Sequence, residues 1–205
     1  MDGAASEAPE MTNRERRHPN PSRTGSGRVT KALRATAYHE AGHAVVGWLQ
    51  GRRFKGVSIV ADEAEGSVGR VTANRAPSWF RPDVQMDRRH RTLCEMEIRE
   101  LLAGFEAERR FTGRRNHVGA SRDLERAADF ADWVTGGSVE EVERYLDRLS
   151  VDVALLFDTD IHWRAVQRLA EELVLRGELS GSEARSIIAG ATTVNSYRSP
   201  RTQPS

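Results

Sequence analysis

Two spacings of apolar residues alternate along the chain. Around Ala37, Ala41, Ala44, Val45, Val46, Trp48 and Leu49 the apolar and small residues follow a helical frame, predicting a helix that starts between Thr30 and Ala35. Gln50-Gly51 supplies its stop. The period then shortens to two. Phe54–Val60, with Val57 and Ile59 in phase, and Ser67–Thr72, with Val68 and Arg70 in phase, read as two short strands. Asp62-Glu63-Ala64-Glu65-Gly66 joins them, which predicts a hairpin beside the first helix, with an edge able to pair with an extended peptide.

Pro77 and Pro82 bracket Trp79-Phe80 and mark Asn74–Asp87 as a loop, its tryptophan either bordering a cleft or tucked onto the surface. From Arg88 to Phe111, Leu93, Ile98, Leu101, Leu102, Phe105 and Phe111 form one broad stripe of a long helix that Gly113 ends. Leu124, Ala127, Ala128 and Ala131 mark a helix with a small-residue face. Ser138-Val139-Glu140-Glu141 is a capping-box pattern opening a helix through Val142, Leu146 and Leu149. A further helix is expected from about Asp152 through Val166 and Leu173 to Arg176-Gly177, and a short last one from Ser180 through Ile187 and Ile188. The pattern predicts a mostly α fold with a small β-hairpin: one helix carrying the chemistry discussed below, plus a helical bundle.

Both ends break this patterning. Residues 1–30 are polar and rich in Pro, Gly and Ser, and are expected to be a disordered arm. The folded domain is expected over 31–189, with a polar tail over 190–205. At 205 residues and 38% hydrophobic content, one moderate domain with a real core fits the chain. Its 31 basic and 30 acidic side chains leave a net charge of +1, which argues against a nucleic-acid partner. The single cysteine, Cys94, cannot form an intrachain disulfide. With no basic-then-apolar leader and no apolar run long enough for a membrane span, a cytoplasmic protein is expected.

The first helix carries His39-Glu40-Ala41-Gly42-His43, an HExxH motif. Residues four apart on a helix share a face, so His39 and His43 can offer two imidazole nitrogens to one ion, most plausibly zinc. Glu40 would then stand beside the open coordination position, placed to accept a proton from a zinc-activated water. Chance produces HExxH in about one chain in a hundred of this length, so the helical frame carries much of the weight. Gly42 adds to it, since glycine inside a helix costs about 1 kcal/mol relative to alanine. A catalytic zinc takes three protein ligands. By chemistry the third is open among Glu95, Glu97, Glu100, Glu106, Glu108, His117 and Asp123.

The stretch Tyr38–Gly47 resembles the zinc-binding helix of the FtsH-type ATP-dependent metalloproteases, which carries HEAGH. Ala103-Gly104-Phe105-Glu106-Ala107-Glu108, ending at Gly113, is similar to that family's Gly-Gly and Ala-Ala-Glu segment. Val118-Gly119-Ala120-Ser121-Arg122-Asp123-Leu124 resembles its Gly-Ala-Ser-x-Asp-Leu segment, whose aspartate is the third zinc ligand. The resemblance, spanning about residues 31–190, therefore implies Asp123 as a metal ligand with His39 and His43, and Glu40 as the catalytic base. It departs at Glu106 and Arg110, which replace small or apolar residues, and after Trp133, where the family's Gly-Met-Ser is missing.

The resemblance implies a zinc metalloendopeptidase acting on unfolded or flexible polypeptides. No GxxxxGK[ST] phosphate loop occurs, so a stand-alone peptidase without its own ATPase module is expected. A separate ATPase acting in trans and a homo-oligomer are the partners this leaves open. The rival expectation is a non-catalytic adaptor or peptide-binding module that keeps the peptidase fold.

Overall fold

The computed structural model describes residues 29–61, 69–74, 76–114 and 121–193. The expected arm through residue 28, the acidic loop Asp62–Gly66 with Ser67 and Val68, candidate ligand His117, and the tail from residue 194 lie outside the described residues. Among the described residues, six helices and three short strands follow in the order α1 (Lys31–Leu49), β1 (Phe54–Ser58), β2 (Arg70–Ala73), α2 (Arg88–Thr112), α3 (Ser121–Thr135), α4 (Val139–Asp158), α5 (Asp160–Arg176), β3 (Glu178–Ser180) and α6 (Gly181–Thr192). Mostly helical with a small antiparallel sheet, it is the architecture the patterning predicts.

Helix α1 is the central element. Thr30 caps it, its hydroxyl accepting from the Leu33 amide at 3.1 Å, and every residue from Ala37 to Gly47 is buried. A helix enclosed on all sides needs small residues where neighbours press closest. A Cβ on Gly42 would stand 2.7 Å from the Ala107 Cβ and closer still to the Ala103 carbonyl oxygen, so α1 and α2 meet backbone to backbone there. That contact is the packing reason for a glycine inside this helix. Tyr38, stacked on Phe111 with ring centroids 4.1 Å apart, fastens the other end of α2.

Helix α2 runs from the Asp87 cap, which accepts from the Arg89 and His90 amides, to Gly113 in the left-handed conformation at φ 72°. Aromatic packing holds its start. The Trp79-Phe80 loop folds onto the buried His90 and onto Phe130 of α3, with Phe80 stacked at 6.0 Å from His90 and 6.3 Å from Phe130. The loop is therefore a surface anchor. Helix α3 presents Ala127 and Ala131 to the core, as its small-residue face predicts.

The sheet has the order β2-β1-β3, antiparallel throughout, with Val57 opposite both Val71 and Leu179. The expected β1–β2 hairpin pairing is present, with β2 starting at Arg70. Strand β3 lies outside the predicted set. Its three residues are too few for a period of two to register, and only pairing with the distant β1 makes them a strand. A second correction concerns the bundle. Helix α4 continues to Asp158 and the break falls at Thr159, not near Asp152, because Leu149, Val153 and Phe157 carry one buried stripe through the expected boundary. Helix α6 opens on the predicted Ser180/Glu183 capping box and continues past Gly190 to Thr192.

Candidate metal centre

His39 and His43 project from the buried middle of α1 toward the first turn of α3, where Asp123 waits. The Asp123 Oδ2 lies 3.1 Å from His39 Nε2 and 3.2 Å from His43 Nε2. One ligand atom from each residue falls within 4.8 Å of the others. Zinc bonds of about 2.0–2.2 Å in tetrahedral geometry set ligand atoms roughly 3.3 Å apart, so the spacing suits such an ion. The fourth side of the group is kept bare by α2: a Cβ on Gly104 would lie 2.8 Å from His39 Nε2 and nearer still to His43 Nε2. Two imidazoles, one carboxylate and a side-chain-free face make a donor set that could hold zinc and leave room beside it.

Each ring is oriented by its other nitrogen. His39 Nδ1 is 3.2 Å from Glu108 Oε2, and His43 Nδ1 donates to the Glu100 carbonyl oxygen at 2.7 Å. An Nδ1 engaged with an acceptor leaves Nε2 as the ligand nitrogen. The two orienting groups, Glu100 and Glu108, share one face of α2 with Gly104 midway between them, so that face serves both histidines. Glu108, open as a ligand by chemistry, therefore takes the orienting position. Four more carboxylates that could ligate by chemistry have partners away from the histidine nitrogens. Glu95 meets the Tyr145 hydroxyl, Glu97 and the Glu100 carboxylate meet Arg52, and Glu106 meets Arg109.

Electrostatics follow from this packing. Burial works against protonation of His39, but its hydrogen bonds to Asp123 and Glu108 carry its pKa up to about 9. His43 is raised in the same way, its contact with Asp123 outweighing burial. Burial would raise Asp123, yet the two imidazoles hold its carboxyl far below the usual range. Glu40, only 6% exposed, is pushed up by burial, with His43 and His39 opposing.

A cleft of about 280 Å³ opens on this group, lined by Glu40, His43 and Asp123 together with Gly69, Arg70, Val71 and Ala73 from the β2 side. A Cβ on Gly69 would stand 2.7 Å from Glu40 Oε1, so the strand entry closes directly over the glutamate. A larger apolar groove lies between α1 and α5, around Tyr38 and Leu175, away from these residues. The four residues singled out in the sequence, His39, Glu40, His43 and Asp123, are thus brought together. Those not singled out are Gly69, Gly104 and the Glu100 carbonyl. The Glu100-Gly104-Glu108 stripe, polar and small on the face of a helix that should be apolar, was the available signal.

A helix bearing two histidines, crossed by a second helix that orients them and met by an aspartate from a third, over a small antiparallel sheet, is the arrangement of an HExxH metallopeptidase domain. The chain belongs to Peptidase family M41, whose family model matches residues 29–135, from the α1 cap through α3. That match places the FtsH-type resemblance on α1, β1, β2, α2 and α3. Comparison with curated proteins gave no match.

Proposed function

We propose that this chain is a zinc-dependent metalloendopeptidase that cuts unfolded or flexible polypeptides. One observation carries the reading: His39 Nε2 and His43 Nε2 converge on one Asp123 oxygen beside the buried Glu40, at the floor of a cleft. His39, His43 and Asp123 would hold the ion, which when bound would polarise the scissile carbonyl and make a water acidic near neutral pH. Glu40 takes the proton and returns it to the leaving amine. Its burial suits that exchange, because a carboxylate with raised pKa is a better proton acceptor at neutral pH. Glu108 and the Glu100 carbonyl keep the two rings in the ligand tautomer.

A cleft of about 280 Å³ suits a short stretch of extended chain. Strand β2 lines it and ends the sheet, so its outer edge suits pairing with an extended backbone. A requirement for extended substrate fits delivery by a separate ATPase in trans, and the buried free thiol fits a cytoplasmic setting.

Glu40→Gln provides the test. The variant is expected to keep stoichiometric zinc and to lose at least a hundredfold in cleavage of unfolded casein or flexible peptides, since general-base contributions run from about 10² to 10⁴. Full proteolysis in Glu40→Gln removes Glu40 as the base. Binding of peptides without cleavage by zinc-loaded wild type supports the adaptor reading instead.

A further inference from the structure

The charges lining the cleft do not stand on an equal footing. Asp123 is committed to the two histidines, and Glu40 faces the reacting position. Glu97 and Glu100 also line the cleft, but Arg52 stands against both, with its Nη2 2.6 Å from Glu97 Oε1 and its Nη1 3.1 Å from Glu100 Oε2. The second contact is an ion pair without hydrogen-bond alignment. Every carboxylate of the cleft thus has a partner or a task. The cations of the cleft are Arg70, Arg122 and Arg126. Arg70 and Arg122 have contacts of their own. Arg126 is exposed and sits one turn beyond Asp123 on the same face of α3; its charge is felt by the Glu100 carboxyl, whose pKa burial raises and Arg126 helps to hold down, but among the described residues no carboxylate stands close enough to form an ion pair with it.

We infer that Arg126 forms a substrate subsite selecting an acidic side chain, aspartate or glutamate, close to the scissile bond. A guanidinium on a rigid helix, within the same cleft as the ligands, offers a fork that a carboxylate can meet with two hydrogen bonds. A lysine or arginine side chain there meets Arg126 in a cleft that Arg70 and Arg122 also line, while Glu97 and Glu100 already face Arg52. The inference deepens the peptidase reading and rests on it for the word substrate; the charge selection itself can be read from binding alone.

Two readouts separate the claims. The first is cleavage by zinc-loaded full-length protein of flexible peptides identical except for Glu, Gln or Lys scanned through the positions flanking the cut. The second is fluorescence anisotropy of the same peptides on zinc-loaded Glu40→Gln protein, with and without Arg126→Glu. At one position Glu is expected to exceed Lys about fivefold in both readouts, the scale of a partly exposed ion pair. Arg126→Glu should invert the order and Arg126→Lys should keep its direction. Equal cleavage of all peptides means that the subsite is wrong and the peptidase reading stands. Charge-selective binding that follows Arg126, with no peptide cut by wild type, means that the subsite stands and the peptidase reading fails. Binding indifferent to charge, or a preference unchanged in Arg126→Glu, overturns the inference.

Discussion

A methyl group on Gly104 would stand 2.8 Å from His39 Nε2 and closer to His43 Nε2, in the space in front of both ligand nitrogens. Alanine in a helix interior gains about 1 kcal/mol over glycine, which offsets part of the about 1–3 kcal/mol that crowding the buried His39 and His43 rings costs, so Gly104→Ala should still fold and keep its helices. Its zinc content is expected to fall well below one ion per chain by elemental analysis, with peptidase activity falling alongside and far-UV circular dichroism unchanged. Stoichiometric zinc in that variant would mean that the ion does not approach the face Gly104 leaves bare. Single residues are the most legible level in the sequence where their chemistry is explicit: His39, Glu40 and His43 stand four apart or adjacent on one helix, and spacing alone brings them together. Asp123 is reached only through resemblance, because eighty-odd residues separate it from the histidines and no local rule closes that distance. Gly104 and the Glu100 carbonyl are silent for a different reason. A glycine's job is read from what presses on it, and a backbone oxygen has no letter of its own.

At the scale of elements, amphipathic helices with explicit ends are legible in the sequence. The Asp87 cap and left-handed Gly113 bracket α2, and the Ser180/Glu183 box opens α6. Elements defined by distant partners are not: β3 exists through β1, and the α4–α5 break at Thr159 lies where no glycine or proline announces it. Helix α2 also carries a titration. Cys94 on its buried side has no exposed surface, and burial, helped by Glu97, pushes its thiol from about 9 up to about 11. A group whose folded pKa exceeds its unfolded value stabilises fully below the unfolded pKa and loses that contribution as pH rises through the folded one. The window here is therefore pH 9 to 11. Denaturant unfolding at pH 8 and at pH 10.5 should show a larger loss of stability in wild type than in Cys94→Ala. Equal losses in the two proteins would mean that the thiol does not couple to folding.

The whole molecule is tied through the site as well as through the core. The candidate ligands come from α1 and α3, their orienting groups from α2, and the cover over Glu40 from the entry to β2. An ion held there joins elements far apart in sequence, and a ligand that binds only the folded state stabilises it by mass action, about 2.7 kcal/mol at a hundred times its dissociation constant. For a domain of this size that amounts to roughly 5–10 °C in melting temperature. The apolar core is made by residues other than the candidate ligands. Ile98, Leu149, Phe157 and Leu169 are fully buried, and their burial gives the domain a source of stability apart from the site. Chelation should therefore lower the melting temperature by several degrees while leaving the helical circular dichroism signal in place, and added zinc should restore it. Asp123→Ala should melt at the same temperature with chelator or with zinc. A wild-type melting temperature indifferent to chelator and zinc, in protein shown by elemental analysis to exchange the metal, would separate the ion from the stability of the fold.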